Sequence, residues 1–161
     1  RFVRFGGHRR AAGVTIEEPL LAALQSDFSD YIDSVYPPDM LQPTVVYEEQ
    51  VALGDLTQRC VEELELLGPF GEGNPEPVVL LDGVRFCDVS YMSGGAHLSA
   101  SLTDGETAMR TVAFGKGDRH AELTEAGSWQ VTAKPVVNRF RGRETVELML
   151  MDAVKMQAES F

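Results

Sequence analysis

Along the first third of the chain hydrophobic residues recur at helical spacing, and along the second half they alternate. Leu20, Leu24, Phe28, Tyr31, Ile32 and Val35 fall at the three- and four-residue steps of one helix face, which predicts an amphipathic helix. Pro19 suits its first turn and Pro37-Pro38 supply the stop. Before it, the alternating stretch Phe2-Val3-Arg4-Phe5 reads as the end of a strand running into Gly6 and Gly7. A fold rarely starts there, so the expectation is a fragment whose preceding elements are missing. Residues 44–51 set Val45, Tyr47 and Val51 against polar neighbours and predict a strand, with Glu48-Glu49 keeping one face wet. Asp55 is expected to cap a second helix with Gln58 as its box partner, and Leu56, Cys60, Leu64 and Leu67 form its apolar stripe.

From 68 to 77 the run GPFGEGNPEP holds three glycines and three prolines, too much backbone punctuation for a helix or strand interior. Beyond this connector, strand-like runs dominate: 78–89, 96–102, 107–114, 129–137 and 144–154, with a short helical interlude near 119–125. Five strands with a helix between the third and fourth is the order of an oligonucleotide-binding (OB) barrel. Asp104-Gly105 marks the turn between the second and third strands, and residues 138–143 turn between the fourth and fifth. Trp129, in phase with Val131, Ala133 and Val137, reads as core.

Composition adds bounds. With 161 residues, 43% hydrophobic and 24% charged, the chain has the make-up of a soluble globular protein. No stretch approaches the roughly 18 apolar residues of a membrane span, and the N-terminal run has neither a starting Met nor a signal-like apolar core. Membrane and secreted readings are set aside. Cys60 and Cys87 cannot build a disulfide framework or, with His8, His97 and His120 scattered, a structural zinc site, so a reducing, cytoplasmic compartment is expected. The net charge of −11 argues against an indiscriminate polyanion binder. Its distribution qualifies that: residues 1–13 carry +4, 14–75 carry −12 and 76–161 carry −3. The acidic block reads as a solvated surface, as a docking face for a basic partner, or as acid kept away from a binding track to repel stray DNA.

Two segments suggest chemistry. In GGHRRAAG, Gly6 to Gly13, paired glycines let a ligand approach backbone N–H groups beside His8, Arg9 and Arg10, the ingredients of a phosphate cradle; a tight turn with small residues for packing is the plainer alternative. In NRFRGR, Arg139, Arg141 and Arg143 surround Phe140. In an OB barrel this loop borders the nucleic-acid groove, the arginines meeting phosphates and the ring stacking on a base. The plainer alternative is a solvated hairpin tip with Phe140 tucked against the barrel. Arg85, Arg110, Lys116, Arg119 and Lys134 extend the groove if they share a face. Tyr91 and His97 bracket the Ser93-Gly94-Gly95 turn and serve either a strand at the barrel mouth or loop packing. Ser99 and Ser101 give one strand a small polar face. Asp104, Asp118, His97 and His120 are isolated in the sequence and read as turn and surface residues.

GGHRRAAG, then LGPFGEGNPEPV, then a barrel containing NRFRGRETVEL, resembles the C-terminal half of the RecJ family of single-stranded-DNA-specific exonucleases in the DHH phosphoesterase superfamily. The resemblance implies an α+β fold: a truncated DHH-associated α/β domain with helical connector over 1–67, a linker over 68–77, a five-stranded OB-type β-barrel over 78–155 and a tail over 156–161. It implies that Gly6, Gly7 and His8 contact the substrate phosphate, His8 only once the missing catalytic domain is present. Arg9 and Arg10 stand at positions that the pattern leaves open. The nucleic-acid-binding set is then Gly6, Gly7, His8, Arg9, Arg10, Arg85, Arg110, Lys134, Arg139, Phe140, Arg141 and Arg143. Mn or Mg is expected in the parent enzyme and no cofactor in this part, because the chain holds no DHH triplet. Single-stranded DNA is the implied partner, with other repair proteins beside it, in DNA repair and recombination. The rivals are a protein-interaction module and an oligonucleotide or cyclic-dinucleotide phosphodiesterase of the same superfamily.

Overall fold

The computed structural model describes residues 2–41 and 44–156; Arg1 and residues 157–161, most of the expected tail, lie outside them. The chain forms two compact units, 1–44 and 45–161.

The first unit opens with an antiparallel hairpin of β1 (Arg4–His8) and β2 (Ala11–Thr15). The strand does not stop at the glycines, as the sequence pattern suggests: Gly6 pairs with Gly13, Gly7 with Ala12 and His8 with Ala11. The turn falls at Arg9-Arg10. Glycine and alanine carry little hydropathy signal, so β2 leaves no alternation to find. Its small residues have a packing reason, since a Cβ on Gly7 would lie 2.8 Å from the Cα of Ala12. Pro19 sits in a single 3-10 turn, Glu18–Leu20, that leads into α1 (Leu21–Val35), close to the predicted helix. Pro38–Leu41 forms another 3-10 turn after it.

In the second unit the strand expected over 44–51 shrinks to β3 (Glu49–Gln50), parallel to the start of β4 (Val79–Met92). A strand exists only where a neighbour has a free edge. β4 gives one edge to β7 over Val79–Val84 and takes β5 from Arg85 onward, which leaves β3 a short length of the other edge. Asp55 does not cap the second helix. Its carboxylate accepts from the Ala52 N–H at 3.1 Å and closes a 3-10 turn, Leu53–Asp55, while the Thr57 hydroxyl caps α2 (Gln58–Glu65) by accepting from the Cys60 N–H at 3.2 Å. Leu53, Leu56 and Val61 are all buried, and this anchorage bends the chain between the two turns. Leu67, expected on the stripe, lies exposed beyond the helix end.

The barrel follows the predicted order. β4, β5 (His97–Thr103), β6 (Ala108–Ala113), β7 (Trp129–Phe140) and β8 (Arg143–Lys155) form one sheet ordered β3-β4-β5-β6-β8-β7, with β7 returning to pair with β4. β6 and β8 run parallel, and the short helix α3 (His120–Leu123) lies between β6 and β7 in the chain. Alternate residues point inward. Leu81, Val84, Leu98, Leu102, Val131 and Leu148 fill the interior around Trp129, whose ring meets Phe86 edge-on at 5.6 Å. In the connector, Gly71 and Asn74 exchange backbone hydrogen bonds and the Asn74 amide donates to the carbonyls of Leu67 and Pro69.

Candidate nucleic-acid interface

The NRFRGR segment is tighter than a loop of six residues. Asn138, Arg139 and Phe140 belong to the ladder, paired with Thr145, Glu144 and Arg143, and only Arg141 and Gly142 form the turn, with φ of 50° and 76°. Positive φ at both central residues gives a two-residue hairpin the twist of its strands; glycine adopts it freely, and Arg141 is the less usual occupant. Phe140 is 63% exposed, and the Arg141 guanidinium lies 5.1 Å from its ring centroid. The ring is therefore not tucked against the barrel.

Acid and base interleave around this hairpin. Arg139 donates two bonds to Glu65 of α2, at 2.9 and 3.2 Å, and a third to Glu144 across the ladder at 3.2 Å. Its hydrogen bond holds the Glu65 carboxyl below the ordinary value of 4.5, and the carboxylate in turn raises Arg139. Gln58 bonds Glu144 as well, so the first and last turns of α2 both tie to the hairpin base. Between them lies a shallow cleft lined by Gln58, Arg139, Gly142, Arg143 and Glu144.

The same pairing recurs on the barrel wall. Arg110 and Asn138 both donate to Glu147 at 2.7 Å, Lys134 meets Glu76 at 2.7 Å, and Arg119 is shared by Glu122, Asp152 and the Ala153 carbonyl. Acid from the barrel strands and from α2 thus interleaves with these arginines. Among the described residues no carboxylate forms an ion pair with Arg141, Arg143 or Lys116, while Arg85 lies near Asp104, whose charge it favours. Sequence reasoning missed these partners. The Arg139–Glu144 pair was within reach, since a two-residue turn fixes which residues face each other; Glu65 and Glu76 come from distant parts of the chain and left no local signal.

On the outer wall the ladder sets Arg85 opposite Thr103, Cys87 opposite Ser101, and Ser101 opposite Arg110. Alternating with the buried Leu98, Ala100 and Leu102, the β5 side chains Ser99, Ser101 and Thr103 form a row of hydroxyls. Arg85 and Arg110 flank it, so these two share a face, while Lys134 belongs to a separate hollow with Glu76, Pro77 and Phe70.

In the first unit Gly6 and Gly13 face each other with nothing within 4 Å of a Cβ on either, a stretch of bare backbone. At the end of that ladder the His8 Nδ1 accepts from the Arg10 N–H at 3.2 Å. A neutral His8 so held carries its proton on Nε2. Among the described residues no three His, Cys, Asp or Glu side chains gather in a group able to hold a metal ion, so this part of the chain does not fit a two-metal centre.

A family model of the RecJ OB domain matches residues 47–152. The chain belongs to the RecJ family. The single-stranded-DNA-specific exonuclease RecJ of Thermus thermophilus is 30% identical over 156 residues, covering 97% of this chain and 22% of that protein. The RecJ of Bacillus subtilis is 24% identical over 98% of this chain and 20% of its own length, and that of Escherichia coli 26% identical over 92% and 26%. The chain therefore corresponds to about a quarter or less of these RecJ proteins. Crystal structures of Thermus thermophilus RecJ with Mn2+ and with Mg2+ superpose on 98% of this chain, with TM-scores of 0.66 and 0.67. They cover the N-terminal hairpin and the RecJ OB barrel alike, so the α+β fold and the OB-type barrel read from the sequence both stand.

Proposed function

We propose that this chain is the nucleic-acid-binding part of a RecJ-like exonuclease that removes nucleotides 5′ to 3′ from single-stranded DNA, in repair and recombination in the cytoplasm. The barrel grips the strand, and the metal-dependent hydrolysis, with Mn or Mg, belongs to the rest of the protein. The observation that carries this reading is the hairpin: an exposed Phe140 under Arg141, next to Arg143, with neither arginine claimed by a carboxylate among the described residues. An exposed ring beside free guanidinium groups is the pairing that stacks a base and holds its phosphate. The hydroxyl row with Arg85 and Arg110 offers further backbone contacts. Gly6 presents open backbone, and with Gly7, His8 and the turn residues Arg9 and Arg10 it offers an imidazole donor and a basic turn to a phosphate in the cleft of the complete enzyme.

The test is oligonucleotide binding across a salt series. The chain is expected to bind single-stranded DNA at low salt and to weaken steeply as salt rises. Replacing Arg141 and Arg143 together with Ala should lower affinity and flatten the log–log salt slope by about 1.4, at about 0.7 for each phosphate no longer neutralised. Absent or salt-insensitive binding overturns the reading and favours the protein-interaction module. The isolated chain is expected to show no nuclease activity with Mn or Mg.

A further inference from the structure

The edge of β7 that faces away from β8 is paired over only part of its length. β4 holds it from Trp129 to Ala133, and among the described residues no strand continues along it to the hairpin. Natural sheets cover or blunt such edges, and both devices are present. Pro135 brings no N–H to the edge. The segment running from α2 through the Gly/Pro connector lies against it instead, with Leu64 and Phe70 lining a hollow of about 90 Å³ over Lys134, Pro135 and Val136.

Charge latches this segment down. Glu65 takes Arg139 at 2.9 and 3.2 Å, and Glu76 takes Lys134 at 2.7 Å. Arg139 and Lys134 are an odd number of residues apart and leave the strand on opposite faces, so the two carboxylates sit astride the edge. Burial fixes the segment at both ends. Val61 is fully buried, and Val78 is buried with its N–H on the Glu48 carboxylate at 2.5 Å. Between them the Asn74 amide braces the chain from within, through the carbonyls of Leu67 and Pro69. Residues 62–77 thus form a strap, anchored at each end and latched to β7 by the Glu65 and Glu76 pairs.

We propose that a bound polynucleotide unlatches this strap. The Glu65 and Glu76 side chains are 42% and 50% exposed, and ion pairs open to solvent hold weakly. A strand brings a row of phosphates, and counterion release adds to each contact it makes. Glu65 occupies the Arg139 fork as a phosphate does, through two N–H bonds. A phosphate that takes its place repels the displaced carboxylate, and the same exchange at Lys134 frees the second latch. The strap then swings about Val61 and Val78 and uncovers the hollow, while Pro135 keeps the bared edge a poor template for another strand. This rests on the strand-gripping reading and adds its regulation: two of the chain's own cations stay occupied until a polyanion displaces their partners.

The test uses the whole 161-residue chain and methyl NMR with a soluble paramagnetic probe, before and after saturation with an oligothymidylate of about 16 nucleotides at one low salt concentration. The probe should broaden the Leu64 and Val136 methyl signals more strongly once the oligonucleotide is bound. Glu65→Gln combined with Glu76→Gln should show that broadening without oligonucleotide and bind it about 2- to 20-fold tighter. Glu62→Gln combined with Glu63→Gln removes the same charge from carboxylates that serve Gln58 and Arg59, and should leave the hollow closed. Melting curves identify any variant that has lost its fold. Fluorescence anisotropy of labelled oligonucleotide reads the grip independently. If the strand binds while the Leu64 and Val136 signals stay as they were or become better shielded, the strap is overturned and the grip stands; if no strand binds, both fall.

Discussion

Glu65 decides how much of the hairpin's charge a phosphate meets. Arg139 already commits its donors to Glu65 and Glu144, so a strand has to compete for it. Glu65→Gln keeps the shape and removes the competing charge. It is expected to tighten single-stranded DNA roughly two- to fivefold at low salt and to steepen the salt slope by about 0.7. Glu63→Gln is the control: it removes the same charge from the same helix but from a carboxylate paired with Arg59. Equal effects from the two would mean that net charge, not Arg139, is being read. A second residue-scale expectation concerns His8, whose Nδ1 accepts the Arg10 N–H. Nitrogen NMR of the neutral ring should show the proton on Nε2, and a predominant Nδ1–H form would break the proposed donor role.

At the level of elements, the loops after β4 and β6 make a sharp prediction, since a Cβ on Gly117 would collide with the Gly95 carbonyl oxygen. Gly117→Ala forces that contact apart and should cost about 1 to 3 kcal/mol in urea denaturation, whereas Gly94→Ala meets no atom within 4 Å and costs only the strain of its φ of 70°. The elements also show where sequence reading succeeds. The five barrel strands were legible because each alternates against a buried face, as Leu98, Ala100 and Leu102 do in β5, and α1 was legible from its helical spacing although none of its residues is buried. The hairpin β2 was not, since Ala11, Ala12 and Gly13 are held by ladder bonds rather than by burial. β3 was overextended because Val45 and Tyr47 alternate with no neighbouring strand to receive them. In the interface the types of residue were legible and their partners were not: NRFRGR announces an arginine hairpin, but nothing local announces that α2 supplies Glu65.

For the whole molecule the net charge of −11 is compatible with binding a polyanion because it is not spread evenly. Several of the acids are committed to internal pairs, and three hold their protons less tightly than usual. Glu65 is lowered by the hydrogen bond from Arg139, Glu122 by that from Arg119, and Asp104 by the backbone N–H groups of Thr107 and Glu106. A carboxyl lowered in the folded state contributes stability that is present above its ordinary value and is lost as pH falls through the folded one. The barrel should therefore hold its stability down to about pH 4.5 and then lose it progressively, and melting temperatures across a pH series check this. Asp104→Asn, which keeps a turn-forming side chain while removing the titration, should flatten the acid limb.

Trp129 is the sole tryptophan of the chain. It is 0% exposed, its indole N–H has no partner among the described residues, and the Lys155 ammonium stands 5.9 Å from its ring centroid. Its emission is therefore blue-shifted and sealed from soluble quenchers while the barrel is intact. Unfolding is expected to move that light to the red, so one built-in fluorophore reports loss of structure separately from loss of grip in the same cuvette.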